Sequence, residues 1–255
     1  MNDLELLIAR YLDICQYEKK LSSDTLKAYR IDLKQFNVFV GDADITKDFL
    51  SSYVKYLNET FAPRSVKRKL ASLRAFFYSM EEREEGIQNP FEKLHIHIQA
   101  PRQLPRTIPE YIVHDLLQTA YKEYRPGAVT VLRDILVLEL LFGTGIRVSE
   151  LCSLSPQTVQ LGTNHLKLLI YGKGQKERVL QVDTPELLEL MRLYYQVLGD
   201  RVWDSPFILF NNRGAALSPQ SVRRIIRKYL RKLPGQYNAT PHMFRHTFAT
   251  RWGWT

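Results

Sequence analysis

Residues 240–250 read Thr-Pro-His-Met-Phe-Arg-His-Thr-Phe-Ala-Thr, and this stretch guides the interpretation of the rest of the chain. His242 and Arg245 are three positions apart, so they share one face of a helix. Pro241 suits the first turn of that helix. A guanidinium binds phosphate oxygens well, and a nearby imidazole can exchange a proton with the reacting group. The pair therefore indicates chemistry on a phosphate.

Two further cations lie in glycine-rich segments. Arg147 follows Gly-Thr-Gly at 143–145, where the backbone can approach a ligand closely. Lys173 lies between two glycines, at the tip of a predicted hairpin. Taken alone, an arginine or a lysine in such a segment is more often an ordinary surface residue. With His242 and Arg245 they form a set able to bind a phosphodiester and move protons around it.

His242 and His246 are four residues apart, which is also a spacing found in zinc sites. No glutamate lies between them and no third ligand follows. We therefore predict no metal ion at this position.

The charge distribution indicates a polyanionic partner. The 255-residue chain has a formal net charge of +9. Residues 1–98 carry 15 Lys+Arg and 15 Asp+Glu, so the remaining 21 basic and 12 acidic residues lie in 99–255. A basic half beside a balanced half is typical of nucleic-acid binding, although a merely soluble basic protein fits the charge alone equally well.

Membrane and secreted classes are disfavoured. The sequence has no run of 18 apolar residues, and its beginning lacks the layout of a signal peptide. Cys15 and Cys152 are far apart and fall in apolar helical patterns, as buried free thiols in a reducing cytoplasm would. We expect a cytoplasmic, nucleoid-associated protein without membrane contact.

The periodicity predicts a mainly α-helical chain with a small β-sheet. Residues 1–98 form one domain, a bundle of four helices near 4–12, 25–36, 47–60 and 63–80. Three prolines between 101 and 109, with Arg102 and Arg106 among them, predict an extended cationic linker at 99–108.

Residues 109–255 form a second, mixed α/β domain. Strands are predicted at 166–171 and 177–182, with a third short one at 207–210. Helices are expected near 109–123, 128–142, 184–197, 218–232 and 241–252.

Two helical stretches place an apolar stripe beside an acid-free basic face, which favours contact with phosphates over a solvated surface. The residues predicted to contact DNA, including those of the linker and the hairpin, are Arg64, Lys67, Arg68, Lys69, Arg74, Arg102, Arg106, Lys176, Arg178, Arg223, Arg224, Arg227 and Lys228.

Taken in order, these motifs resemble the tyrosine recombinase (phage integrase) family, and within it the Xer-like site-specific recombinases. The segments at 143–151, 172–178 and 241–250 are similar to the family's three catalytic motifs, and residues 23–36, 68–77 and 89–90 resemble its core-binding, SAM-like domain. The resemblance covers essentially the whole chain.

The resemblance implies DNA cleavage and rejoining through a 3′-phosphotyrosine intermediate. Arg147 and Arg245 would bind the scissile phosphate, Lys173 would protonate the leaving 5′ oxygen, and His242 would assist proton transfer. It implies no cofactor, with double-stranded DNA and a second recombinase protomer as partners.

The sequence departs from the family in one respect. Its last tyrosine is Tyr237, and none follows His242, where the family places its nucleophile. We expect a catalytic domain that is incomplete at its C-terminus, with an apolar surface exposed around Phe244, Phe248 and Trp252. The alternative is a non-catalytic DNA-binding protein that occupies recombination sites. A plain helix-turn-helix regulator would not need the set of Arg147, Lys173, His242 and Arg245.

Overall fold

Two units make up the chain, Met1–Gln103 and Leu104–Thr255, each with its own hydrophobic core. The computed structural model describes residues 3–83, 88–91, 107–172 and 177–251. The predicted fold class is confirmed, since helices dominate both units and one small sheet lies in the second.

The described part of unit 1 contains four α-helices whose starts follow from local capping. Ser22 accepts a hydrogen bond from the Thr25 N–H, and Thr46 accepts one from the Phe49 N–H. Pro63 occupies the first turn of the last helix. The helices are α1 (Asp3–Asp13, continued by a π-helical turn Ile14–Glu18), α2 (Ser23–Val40), α3 (Lys47–Thr60) and α4 (Pro63–Glu81).

The core of unit 1 is rich in aromatic side chains. Tyr11, Phe36, Tyr53 and Phe76 are at most 1% exposed. Phe36 meets Tyr53 edge to face with 5.0 Å between ring centroids, a favoured geometry for aromatic pairs. Phe36 of α2 and Tyr53 of α3 thus face the core.

Unit 2 is built around one apolar helix. Its elements are α5 (Glu110–Glu123), α6 (Val129–Thr144), α7 (Val148–Cys152), β1 (Val159–Leu161), β2 (Leu166–Tyr171), β3 (Glu177–Val182), α8 (Pro185–Leu198), α9 (Asp200–Trp203), α10 (Pro219–Leu230) and α11 (Pro241–Arg251). Helix α6 packs against α5, α8 and α11, so most of its circumference is buried. The last turn of α6 belongs to this buried surface, because Leu141 and Thr144 are buried.

The sheet is antiparallel, in the order β1-β2-β3. Leu166, Leu168 and Ile170 alternate toward the core, and Ile170 pairs with Arg178 across β2 and β3. Both predicted hairpin strands have the expected bounds. The third strand was predicted at the wrong place in the sequence. The strand that completes the sheet is β1, whereas at 207–210 only Phe210 forms an isolated bridge, to Ala216.

Two sequence expectations, on membrane spans and on thiols, concern residues that the structure describes. Within them, no helix is long and apolar enough to cross a membrane. Cys15 and Cys152 are buried free thiols, as predicted.

Candidate active site and nucleic-acid interface

The turn after α6 sets the position of Arg147. Gly145 ends the helix in the left-handed conformation, with φ of +60°, which glycine adopts without strain. Arg147 follows in an extended conformation and precedes α7, and its N–H donates to Glu150 Oε2 at 2.9 Å. This bond satisfies one of the open amides at the start of the helix. The glycine turn and the short helix together fix the backbone of Arg147.

Glu150 holds two arginines at once. Its Oε1 accepts from Arg147 Nη1 at 2.9 Å. Arg178, near the start of β3, donates through both terminal nitrogens, at 2.9 and 2.7 Å. Burial raises the pKa of Glu150, but the hydrogen bonds from Arg178 and Arg147 outweigh it and lower that pKa to about 2. The carboxylate is therefore ionised at neutral pH and fixes both guanidiniums.

Arg245 reaches the same turn from α11. Its Nη1 donates to the carbonyl oxygen of Gly145 at 2.6 Å. Burial lowers the pKa of Arg245, and the positive charges of Arg147 and Arg178 lower it further. The guanidinium remains charged at neutral pH. Arg147, Arg178 and Arg245 thus lie close enough around Gly145 to repel one another, and the carboxylate of Glu150 offsets part of their charge. The net charge of the group is positive, which favours binding of an anion.

His242 and His246 are neighbours on α11. Their Nε2 atoms are 3.1 Å apart, and their rings meet edge to face. The side chain of His242 is exposed, whereas His246 is half-buried. Burial lowers the pKa of His246, and the charges of His242 and Arg245 lower it further. No cluster of three or more metal-binding side chains occurs in the described ranges.

A cavity of about 350 Å³ lies beside this turn. It is lined by Gly145, Arg178, Arg245 and Phe248 together with residues of β3. Two of the cations thus face open space.

The hairpin lysine cannot be placed in this geometry. Lys173 and Lys176 fall in 173–176, outside the described residues, and Arg102 and Arg106 also fall outside them. The hairpin strands are described up to Tyr171 and from Glu177, which pair with each other.

Helix α10 presents the basic face that the sequence predicts. Arg223, Arg224 and Arg227 are exposed, while the apolar stripe of the helix is buried. Lys228 differs from them, because its Nζ donates to the buried Asp134 at 3.0 Å and to the Tyr229 hydroxyl at 3.0 Å.

The basic residues of α4 separate into two groups. Arg64, Lys67 and Arg74 are exposed, and Arg74 lies over the ring of Phe91. Arg68 is exposed but donates to Asp32. The exposed positive charges of Arg64, Lys67 and Arg74 are therefore available to bind a polyanion.

Lys69 requires a correction. It was predicted to contact DNA, but its side chain is 6% exposed and its ammonium binds Asp32 and Gln35 inside unit 1. Its partner Asp32 is fully buried and also accepts from Ser72 at 2.8 Å. Helical spacing does not separate Lys69 from its exposed neighbours, so we leave it out of the DNA-contact set.

The expected exposed apolar surface also requires a correction. Phe244 is fully buried and Phe248 is half-buried against Gly145. Trp252 lies outside the described residues. Helix α11 packs on α6, which covers Phe244.

Sequence reasoning missed Glu150, His246 and Asp32 as site or supporting residues. Glu150 stands three residues after Arg147, the spacing of a capping glutamate, and that signal could have found it. His246 was weighed only as a metal ligand.

Comparisons with known proteins identify the family. Residues 108–252 match the phage integrase family, and residues 8–84 match the phage integrase N-terminal SAM-like domain. A tyrosine recombinase of Agathobacter rectalis is 42% identical over 98% of this chain and 84% of its own length. The tyrosine recombinase XerC of Staphylococcus saprophyticus is 31% identical over 97% of this chain and 83% of its own length. The chain therefore belongs to the phage integrase family of tyrosine recombinases, a family of enzymes.

Solved structures agree in fold. The XerH site-specific recombinase bound to difH substrate, in a pre-cleavage complex, has a TM-score of 0.70 at 18% identity, over 97% of this chain and 73% of that chain. A lambda integrase (75–356) dimer bound to a COC′ core site has a TM-score of 0.72 at 18% identity, over 97% of this chain and 88% of that chain.

Proposed function

We propose that this protein acts in site-specific DNA recombination and that Arg147 and Arg245 bind the scissile phosphodiester. The observation that carries the proposal is the convergence of the two arginines at Gly145. Arg245 donates to the carbonyl oxygen of Gly145, and Arg147 donates to the carboxylate of Glu150. Guanidiniums placed in advance around one point stabilise negative charge that develops there. Phosphoryl transfer develops such charge on the oxygens of the phosphate.

We assign the catalytic roles of individual residues by analogy with the family. Arg147 and Arg245 neutralise the pentavalent transition state, Lys173 protonates the leaving 5′ oxygen, and His242 exchanges a proton with the attacking group. A tyrosine in this family forms the 3′-phosphotyrosine link, which a 5′ hydroxyl then resolves. The link conserves the energy of the broken bond, so the reaction needs no nucleotide cofactor.

DNA contacts are proposed for both halves of the chain. Residues 1–98 would act as the core-binding domain, 99–108 as a basic linker, and 109–255 as the catalytic domain. The XerH and lambda integrase structures are DNA complexes, which supports the proposal of DNA contacts. The proposed contacts are Arg64, Lys67, Arg68, Arg74, Arg102, Arg106, Lys176, Arg178, Arg223, Arg224, Arg227 and Lys228.

We further propose that the protein assembles on DNA with a second protomer. The lambda integrase complexes are described as a dimer and a tetramer, which supports this part of the proposal. We also propose a cytoplasmic, nucleoid-associated location, because the proposed partner is double-stranded DNA.

A second candidate function is occupancy of recombination sites without cleavage. It is supported by the burial of two tyrosines in unit 2. In unit 2, Tyr194 and Tyr229 are buried, with their hydroxyls bonded to the Ile208 carbonyl and to Asp134. Neither hydroxyl is free to attack a phosphodiester beside Arg147.

The first experiment selects duplexes from a randomised pool with the purified 255-residue protein. Enrichment of one motif with two inverted half-sites is the expected result. Recovery of unrelated duplexes would contradict site-specific recognition. Replacement of both Arg147 and Arg245 by Gln should lower the affinity for the enriched duplex about 10-fold, or about 1.4 kcal/mol. Lys122→Gln, an exposed cation of α5, is the matched control and should leave the affinity unchanged.

The second experiment separates the two candidate functions. The protein is incubated with a nicked version of the enriched duplex, and the products are resolved under denaturing conditions. A covalent protein–DNA adduct would establish cleavage by this chain. Tight binding without an adduct would establish occupancy alone.

A further inference from the structure

The two histidines of α11 form a hydrogen-bonded pair whose direction has a chemical consequence. Their Nε2 atoms are 3.1 Å apart, the ring centroids are 4.3 Å apart, and the rings are inclined by 71°. Positions i and i+4 of a helix bring such side chains together. A hydrogen bond between two imidazoles needs one Nε2–H and one bare Nε2. One ring must therefore be a neutral acceptor.

The surroundings favour His246 as that acceptor. Its pKa is lowered by burial and then by the positive charges of His242 and Arg245. It is therefore neutral near pH 7 and keeps a lone pair. His242 is the more exposed ring. In the part of the chain that the structure describes, no carboxylate is hydrogen-bonded to either ring, so the pair itself sets the tautomer of His242.

We propose that His246 is a positioning residue that accepts the Nε2–H of His242 and thereby assigns the proton exchange of His242 to its Nδ1 atom. The hydrogen bond stands independently of the proposed function, whereas its use in catalysis rests on it. The attacking O–H bond breaks as the Nδ1–H bond forms, and His242 becomes an imidazolium with a proton on each nitrogen. The reverse transfer returns the same proton from Nδ1. The Nε2–H of His242 stays hydrogen-bonded to His246 Nε2 throughout.

The edge-to-face contact adds orientation to this assignment. Rotation of the His242 ring by a half-turn about its Cβ–Cγ bond would place Cε1 where Nε2 now lies and break the bond to His246. The pair therefore keeps one nitrogen of His242 turned away from the partner ring and available to the phosphodiester.

Nuclear magnetic resonance of the 255-residue protein with ¹⁵N-labelled histidine tests the direction of the bond. Spectra are recorded with EDTA to exclude adventitious metal ions. The expected signature is a slowly exchanging proton on His242 Nε2, with a nitrogen–nitrogen coupling to a bare His246 Nε2. His114, whose side chain is 70% exposed, is the internal reference and should show neither feature. A proton on His246 Nε2, or two uncoupled rings, would overturn the proposal.

Two substitutions separate acceptance of the proton from simple packing. His246→Gln keeps an acceptor oxygen near the former Nε2 and should preserve the protected proton of His242. His246→Leu removes the acceptor and should speed the exchange of that proton at least 10-fold. Unchanged protection in a folded Leu variant would overturn the proposal. If the Leu variant does not fold, the coupling in the unsubstituted protein and the Gln variant still decides.

DNA binding by the unsubstituted protein is measured alongside. Loss of site-specific binding with the coupled pair intact would refute the proposed function and leave the hydrogen bond standing. Intact site-specific binding with uncoupled rings would refute the hydrogen bond and leave the proposed function standing.

Discussion

The side chain of Phe248 lies against the backbone of Gly145, at the point where α6 turns toward Arg147. A Cβ atom at Gly145 would lie 2.8 Å from Phe248 Cγ. Because the same glycine has a φ of +60° and its carbonyl accepts from Arg245, one small residue joins α6, α11 and the arginine pair.

Gly145→Ala should therefore destabilise unit 2. The left-handed backbone costs about 1–2 kcal/mol with a Cβ atom, and displacement of Phe248 adds about 1–3 kcal/mol of overpacking. All three tryptophans lie in unit 2, so urea unfolding followed by tryptophan fluorescence reports this unit. Gly143→Ala is the matched control, since its Cβ would meet Leu187 at an ordinary 3.8 Å. Equal stability of the two variants would contradict the packing argument.

Glu150→Gln should lower the free energy of unfolding of unit 2 at pH 7. The change removes the ionised partner of Arg147 and Arg178. A buried pair broken on one side costs about 3–5 kcal/mol, but both arginines are partly exposed, so we expect about 1–3 kcal/mol. Glu189→Gln, an exposed residue of α8, should change the stability by less than about 0.5 kcal/mol.

The same carboxylate predicts a pH dependence. The pKa of Glu150 lies at about 2 in the folded protein, below its ordinary value of 4.5. Its ionised form therefore contributes stability above about pH 4.5, and this contribution is lost as the pH falls toward 2. The difference between the protein and Glu150→Gln should shrink over that range. A difference that stays constant between pH 7 and pH 2.5 would show that the charge is irrelevant.

Asp32→Asn should destabilise unit 1 strongly. The fully buried carboxylate of Asp32 holds the ammonium of Lys69 and the hydroxyl of Ser72. An amide there leaves a buried charge without its counter-ion, at a cost of about 3 kcal/mol. Calorimetry can monitor the transition of unit 1. Asp42→Asn, in the exposed turn after α2, is the control, and a similar loss in both variants would argue against the buried ion pair.

The exposed arginines of α10 should contribute to DNA affinity through charge. Gln at Arg223, Arg224 or Arg227 should weaken binding to all duplexes alike and lower the slope of log K against log salt by about 1 for each lost phosphate contact. Fluorescence anisotropy at several salt concentrations measures this slope. Lys122→Gln should leave it unchanged. A loss confined to one sequence would instead indicate base recognition.

Local pattern predicted the helices and the main hairpin because their signals are short-range. Pro63 and Ser22 mark helix starts, and alternation along 166–171 and 177–182 sets the strands. At 207–210, a run of apolar residues was mistaken for a strand, since tertiary packing buries it without strand pairing except at Phe210.

The candidate site was predicted only in part. Arg147 and Arg245 stand in recognisable motifs, but the bond from Arg178 to Glu150 joins residues 28 positions apart and depends on the strand register. Burial of Lys69 depends on Asp32 in another helix. Long-range pairings of this kind leave no periodic signal in the chain, so pattern alone could not reveal them.

Because Glu150 binds both Arg147 and Arg178, the geometry of the site depends on the pairing of β2 with β3. A slip of one residue between β2 and β3 would turn Arg178 to the opposite face of the sheet. Glu150 would then bind Arg147 alone and neutralise it more fully. The charge that Arg147 presents therefore depends on the register between β2 and β3.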